Sequence, residues 1–372
     1  MLDLGTSFLA SVARDPEALA IVDGDVRLSY SAWYGKISGL VAGLDALGLK
    51  PGDHLVTVLQ NRWEAATLHW ACQFAGIIIT PLNWRSTAEE LDFCLQDAEA
   101  RVILYEEVSA AAVRSSEQAR SRARIAVGDA SAQDLPFESL IAANAAGVRP
   151  RVDAEAWSVM LYTSGTTARP KGVPRRHRAE RAAALAHVAQ NLYAAHERTL
   201  GAMPLYHTMG VRSLLAMSLI GGAFVCLPRF DAAHALALIA AERITNLYLV
   251  PTLYHDLLHH PRFETTDVGS VRKLGFAGAP MTDGLLSGLK AAFKPQLFVN
   301  HYGSSEIYTF TIDQNAPAAK SSRCCKAMNR SKAIGDDRRR TRKPCATVGT
   351  SPATPGISMA TAISSSPVAP TI

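Results

Sequence analysis

Residues 163–172 read Thr163-Ser164-Gly165-Thr166-Thr167-Ala168-Arg169-Pro170-Lys171-Gly172. Small residues let backbone N–H groups approach phosphate oxygens closely, the hydroxyls add donors, and Lys171 supplies a mobile cation; this is chemistry for holding a triphosphate. The run is not the Walker P-loop, because Pro170 stands at the second Gly and Gly172 at the Ser/Thr that holds Mg²⁺. On composition alone an ordinary Ser/Thr/Gly loop is the better reading, and it is the ordered run from Tyr162 to Gly172 that is specific. His255 and His259 stand one helical turn apart, as in a zinc protease helix. Asp256 replaces the usual Glu, no third ligand is evident and Pro261 ends the helix at once, so the pair is read as structural. No G-x-S-x-G elbow appears.

The elements that must position this loop are legible around it. Ile37, Leu40, Val41, Leu44 and Leu47 fall on one helical face, Gly48 can cap it, and Pro51-Gly52-Asp53 turns the chain into a strand over 55–59. A helix over 63–75 ends at Gly76, and a strand over 77–80 is stopped by Pro81. Ser86-Thr87-Ala88-Glu89 has the form of a capping box, with Ser86 as the cap, and 102–105 is a strand. Repeated strand–helix–strand order predicts an α/β architecture with largely parallel sheets covered by helices. Residues 110–150 are weakly periodic and read as a helix plus a connecting surface segment. Residues 157–162 form the strand before the loop, and a helix begins near Arg178, with the cluster Arg175-Arg176-His177-Arg178 as its solvated start.

The run 162–172 resembles the signature of the acyl-adenylate-forming superfamily, which comprises acyl-CoA synthetases, peptide-synthetase adenylation domains and luciferases. Three further segments match in the right order: Met203-Pro204-Leu205-Tyr206-His207, Gly275-Phe276-Ala277-Gly278-Ala279-Pro280, and Tyr302-Gly303-Ser304-Ser305-Glu306. The resemblance covers roughly residues 15–315. It implies a layered α/β N-terminal domain of an adenylate-forming enzyme, incomplete and lacking the small C-terminal domain. It also implies two half-reactions: a carboxylate attacks the ATP α-phosphate to give an acyl-adenylate and pyrophosphate, and a thiol, coenzyme A or a carrier protein's, then displaces AMP.

Carried over residue by residue, the resemblance has Thr163, Ser164, Gly165, Thr166, Thr167 and Lys171 hold the phosphates. Gly278, Ala279, Pro280 and Tyr302, with Gly303 beside them, would sandwich the adenine, Ser305 would touch the α-phosphate, and Glu306 with Thr166 would bind Mg²⁺. Lys171, Thr166, Glu306 and His207 are the catalytic candidates. His207, Thr208, Met209, Tyr248, Gly303 and Tyr308 would line the acid pocket, with His207 at the wall between pocket and thiol tunnel. Residues 203–210 most resemble the benzoate and halobenzoate CoA ligases, which points to an aryl or alicyclic acid, or one of medium chain length. Two positions depart from the pattern. Ala168 replaces a usual Gly, at a cost of about 1 kcal/mol if that position needs positive φ, and Ser305 replaces Thr but keeps the hydroxyl. A non-catalytic nucleotide-binding remnant is the alternative, and a homodimer stays open.

Composition divides the chain. Its 372 residues carry net charge +5, a pI near 8.9 and 48% hydrophobic residues, which excludes a fibrous or wholly disordered chain. Residues 316–372 hold ten Lys/Arg against Asp336 and Asp337, a net +8, which set against +5 leaves residues 1–315 at −3. That tail has no Leu, Phe, Tyr, Trp or Glu, so it reads as a disordered basic Ser/Thr/Pro-rich segment. It lacks the aromatic interleaving of a nucleic-acid binder, and nucleic acid is not expected as a partner. Read one base out of frame, 345–368 can encode R-D-G-W-Y-F-T-G-D-T-G-Y-F-D-G-D-G-D-L-F-V-T-G-R, which resembles the superfamily's next signature. A one-nucleotide frameshift near 316–325 with premature termination is therefore expected, along with impaired turnover. No secretory signal is visible, and the apolar stretch 214–227 is shorter than the roughly 20 residues a membrane helix needs. Cys72, Cys94 and Cys226 sit among apolar neighbours, as reduced cysteines of a cytoplasmic protein do.

Overall fold

The structure is a computed structural model that describes residues 2–141, 146–163 and 169–315. Ser164, Gly165, Thr166, Thr167 and Ala168, and the basic tail, lie outside the described residues.

Caps set the helix starts. Asp3 accepts from the Thr6 N–H at 2.8 Å before α1 (Leu4–Arg14), and Ser29 caps α2 (Tyr30–Ala46). Helix α3 (Trp63–Ala75) stops at Gly76, whose φ of 75° is left-handed and whose missing Cβ leaves space for Val152. There follow α4 (Ala88–Asp97), α5 (Glu107–Ser115), α6 (Glu117–Arg120), α7 (His177–Gln190), α8 (Thr208–Ile220), α9 (Ala232–Ala241), α10 (Pro251–Leu258) and α11 (Asp283–Phe293). None of the described helices is long and apolar enough to cross a membrane.

The strands are β1 (Leu19–Asp23), β2 (Val26–Ser29), β3 (His54–Val58), β4 (Ile78–Pro81), β5 (Val102–Tyr105), β6 (Ala123–Ala126), β7 (Leu135–Pro136), β8 (Trp157–Thr163), β9 (Lys171–Arg176), β10 (Arg198–Gly201), β11 (Ala223–Cys226), β12 (Asn246–Leu249), β13 (Lys273–Phe276), β14 (Leu297–Tyr302) and β15 (Thr311–Asn315). They form an eight-stranded sheet, β15-β14-β13-β12-β10-β11-β1-β2, and a seven-stranded sheet, β7-β6-β5-β3-β4-β8-β9. Among the described strands, only β2, β9 and β15 run antiparallel to their neighbours. The parallel strands β4, β5, β11 and β12 are buried at every position, as strands covered on both faces must be.

Helices fill the layer between the sheets. Helix α3 touches β4 of one sheet and β1 of the other, while α7 lies on β8 and β9 and packs against α8, which lies on β10 and β11. The centre of this layer is aromatic: Phe8 sits 4.6 Å from Trp70 and 5.2 Å from Trp33, with Tyr30 and Phe74 at 5.9 Å. Each polar handle is satisfied. Trp33 donates to Thr67, Trp70 to Ser218, and the Tyr30 hydroxyl to the carbonyl of Gly222. Strand residues alternate, Leu55 and Leu104 facing this core and Val56 and Ile103 an outer one against α4 and α5.

Several sequence expectations change. Residues 110–150 contain a strand, β6, in parallel register with β5, because Ile125 and Ala126 are buried although Arg124 beside them hides the pattern. The capping box on α4 is Thr87 with Glu90, one residue later than expected, since the Ser86 N–H is taken by the Asn83 carbonyl. Pro81 is the last residue of β4, not a stop before it. The basic cluster 175–178 is not a solvated helix start: it straddles β9 and α7, so Arg175 and His177 are buried while Arg176 stacks over Trp157 at 4.4 Å.

Candidate active site

The motif residues sit where parallel strands end, which is where ligands bind in such sheets. Thr163 closes β8 and pairs directly with Lys171, which opens β9. The 203–207 segment follows β10, 277–280 follows β13, and 303–306 follows β14.

One cleft of about 450 Å³ joins three of these ends, with Tyr162, Thr163 and Pro170, Tyr206 and His207, and Ser305 in its wall. Its opposite wall is Asn83, Ser86, Glu90 and Cys94, from the turn after β4 and from α4. Sequence reasoning missed that wall, although the end of a strand at residue 81 was a signal for it. Burial raises the Cys94 thiol to about 12, so it stays protonated, and the Tyr162 hydroxyl donates to Asp97 at 2.7 Å.

His207 sits at the N-terminus of α8 without capping it, its ring 4.6 Å from that of Tyr206. The atoms crowding it lower its pKa, which keeps the imidazole neutral at pH 7. The loop before it is clamped by Asn61, which follows β3. The Asn61 amide donates to the carbonyls of Gly201 at 2.6 Å and Met203 at 2.7 Å and accepts from the Leu205 N–H at 3.0 Å. Helix α8 can pass this loop closely only because Gly210 has no Cβ to strike the Pro204 carbonyl.

Gly278, Ala279 and Pro280 lie beyond the end of β13, and Tyr302 lies at the end of the adjacent β14 with its ring exposed, 6.1 Å from Phe310. Gly303 opens a tight turn in which a Cβ would strike the Tyr308 carbonyl. Within it the Glu306 carboxylate faces solvent and is held below its usual pKa by the Ser304 hydroxyl, while the Glu306 carbonyl accepts from Arg175. Lys171 is exposed.

The remaining acid-pocket candidates are not among the residues that line this cleft. Met209, Tyr248 and Tyr308 are buried, and Thr208 is half-buried at the start of α8. The Tyr308 hydroxyl donates to Glu180 at 2.7 Å, and Arg175, ion-paired to Glu180, lies 3.9 Å over its ring. Arg212 donates to the Tyr248 hydroxyl and lies 5.7 Å from Tyr308. The structure thus joins Tyr248 and Tyr308 through Arg212, a residue with no motif to announce it. His255 on α10 and His259, the residue just beyond its end, stack at 4.1 Å, and among the described residues no three His, Cys, Asp or Glu side chains could hold a metal.

Comparison with known proteins agrees with this layout. Residues 8–349 match the profile of a family described as AMP-binding enzyme. A feruloyl-CoA synthase of Amycolatopsis is 30% identical over 304 residues, covering 82% of this chain and 59% of its own length. The long-chain-fatty-acid–CoA ligase FadD13 of Mycobacterium tuberculosis is 27% identical over 277 residues, 74% of this chain and 55% of the relative. The chain thus spans less than two thirds of these relatives. The crystal structure of the N-terminal domain of FACL13 from Mycobacterium tuberculosis superposes with a TM-score of 0.75 at 25% identity, covering 82% of this chain and 77% of that one.

Proposed function

The chain belongs to the AMP-binding enzyme family, and on that premise we propose that it descends from, and carries the nucleotide and acid sites of, an ATP-dependent acid–thiol ligase. The observation that carries the reading is the single cleft that gathers Thr163, His207 and Ser305 from three separate motifs. In this reading Thr163, Ser164, Gly165, Thr166, Thr167 and Lys171 hold the ATP phosphates, Ser305 meets the α-phosphate, and Gly278, Ala279, Pro280, Tyr302 and Gly303 enclose the adenine. The exposed, ionised Glu306 suits a hard cation, and with Thr166 it would hold the Mg²⁺ that offsets phosphate charge. A carboxylate needs no general base to attack phosphorus, so positioning and charge neutralisation do the work, with Lys171 the mobile cation and the neutral His207 a wall for the incoming acid. Coenzyme A is the proposed thiol, and a carrier protein's thiol the alternative.

For the acid we propose an aryl, alicyclic or medium-chain carboxylate, a reading supported by similarity to the feruloyl-CoA synthase. We place the protein in the cytoplasm, in keeping with its buried free Cys72, Cys94 and Cys226. The domain boundary is proposed at residue 315, with 316–372 an out-of-frame continuation; gene resequencing that finds no compatible shifted frame rejects this. The composition of that tail favours a second reading, a remnant that binds nucleotide without turnover. Acid-dependent exchange of labelled pyrophosphate into ATP separates the two. The ligase reading expects exchange with benzoates or cyclohexanecarboxylates and a loss of about 100-fold in Lys171→Ala. No exchange with any acid leaves the remnant, and a clear preference for long fatty acids refutes the proposed acid class.

A further inference from the structure

In the interior, Arg212 on α8, Tyr248 on β12, His301 on β14 and His187 on α7 come together, none more than 2% exposed. The His187 and Tyr248 rings lie 4.6 Å apart and His301 is 5.2 Å from each. Arg212 donates to the hydroxyls of Tyr248 and Thr309, neither of which is charged. The buried carboxylate nearby, Glu180, is ion-paired to Arg175, and among the described residues no carboxylate lies within ion-pair distance of Arg212. Around Arg175 and Arg212 one carboxylate therefore stands against two guanidiniums, a local excess of one positive charge.

The neighbouring histidines carry no charge but leave polar atoms of their own unpaired. The Asn191 amide nitrogen lies 2.9 Å from His187 Nδ1, so that nitrogen accepts and the proton sits on Nε2. The Asn191 carbonyl oxygen lies 3.2 Å from His301 Nε2, which therefore donates and leaves Nδ1 bare. Burial and the charge of Arg212 hold both imidazoles neutral. Three polar atoms are then left without a partner: the Nε–H of Arg212, the Nε2–H of His187 and Nδ1 of His301. Folded proteins rarely leave a buried donor unpaired or a buried cation uncompensated. Two donors and a positive charge against one acceptor select an anion.

We propose that this cluster is the far end of the acid pocket and that Arg212, with the His187 Nε2–H beside it, binds a second carboxylate on the substrate, which is a dicarboxylic acid with an apolar body. The inference rests on the acid-pocket reading above, which already places Tyr248 and Tyr308, both in contact with Arg212, around the acid.

Calorimetric titration of the full chain, in the presence of Mg²⁺-ATP, compares matched pairs: benzoate with terephthalate, cyclohexanecarboxylate with its 1,4-diacid, and hexanoate with adipate. Each diacid is expected to bind at least about tenfold more tightly than its partner, and Arg212→Gln to erase the gap by weakening the diacid, whereas Arg212→Lys keeps part of it. Equal binding within pairs, or a gap that survives Arg212→Gln, overturns the inference and leaves the acid pocket standing. Failure of every acid to bind overturns both. Thermal unfolding of each variant is read alongside, and if Arg212→Gln does not fold, the paired acids on the unmodified chain decide by themselves.

Discussion

Replacing Glu180 by Gln tests the charge arrangement at the heart of the molecule. Glu180 has no exposed surface, is ion-paired to the 8%-exposed Arg175, and accepts the Tyr308 hydroxyl at 2.7 Å. Burial pushes its pKa up, while Arg175, Tyr308 and the charge of Arg212 pull the other way, and its ion pair with Arg175 is the ground for treating it as ionised. The amide keeps the size and an acceptor for Tyr308 but raises the buried charge of the cluster from one positive unit to two. Removing one partner of a buried ion pair costs about 3–5 kcal/mol, because the charge left behind is uncompensated. With a urea dependence of about 3 kcal/mol per molar, the unfolding midpoint should fall by about 1 to 1.7 M. Tryptophan fluorescence reports the transition through the buried Trp33 and Trp70. The double variant Arg175→Gln/Glu180→Gln returns the cluster to one positive charge and should recover part of the loss. A midpoint within about 0.3 M of the unmodified chain, equivalent to about 1 kcal/mol, would refute the assignment of an ionised Glu180 at the centre of this network.

Two further outcomes are expected. Burial lowers the pKa of His69 to about 3 and that of His177 to about 4, so both are neutral in the fold and gain a proton on unfolding below the usual histidine value of 6.5. Their stabilisation is intact above pH 6.5 and falls by about 1.4 kcal/mol per pH unit for each as pH drops, ending near pH 4 for His177 and pH 3 for His69; urea midpoints from pH 7 to 4.5 should show this slope, and His69→Phe should reduce it by one proton. Phe8→Ala empties the fully buried centre of the aromatic layer and should cost about 3–5 kcal/mol by the same urea titration, and a loss below about 1 kcal/mol would mean that the ring is not the keystone its contacts indicate.

The parts of the fold with a clean period or a sharp terminator were legible in the sequence. Helix α3 and strand β5 have the bounds their patterns imply, since Gly76 and the unbroken run 102–105 leave no competing register. Strand β6 was hidden because Arg124 interrupts a short apolar run, and only pairing with β5 makes it a strand. Likewise, Thr87/Glu90 and Ser86/Glu89 fit the same capping pattern, and a turn outside the helix decides between them. For the site, motif order located the strand ends but not what lies between them. Asn61 and Arg212 belong to no motif, and their roles depend on contacts across 140 and 36 residues of chain.

Asn61 has a mechanical consequence. Its three hydrogen bonds tie the end of β3, in one sheet, to the loop leaving β10 in the other. The sheets could part at this seam only if all three broke together, so the clamp acts as a fixed support and not as a hinge.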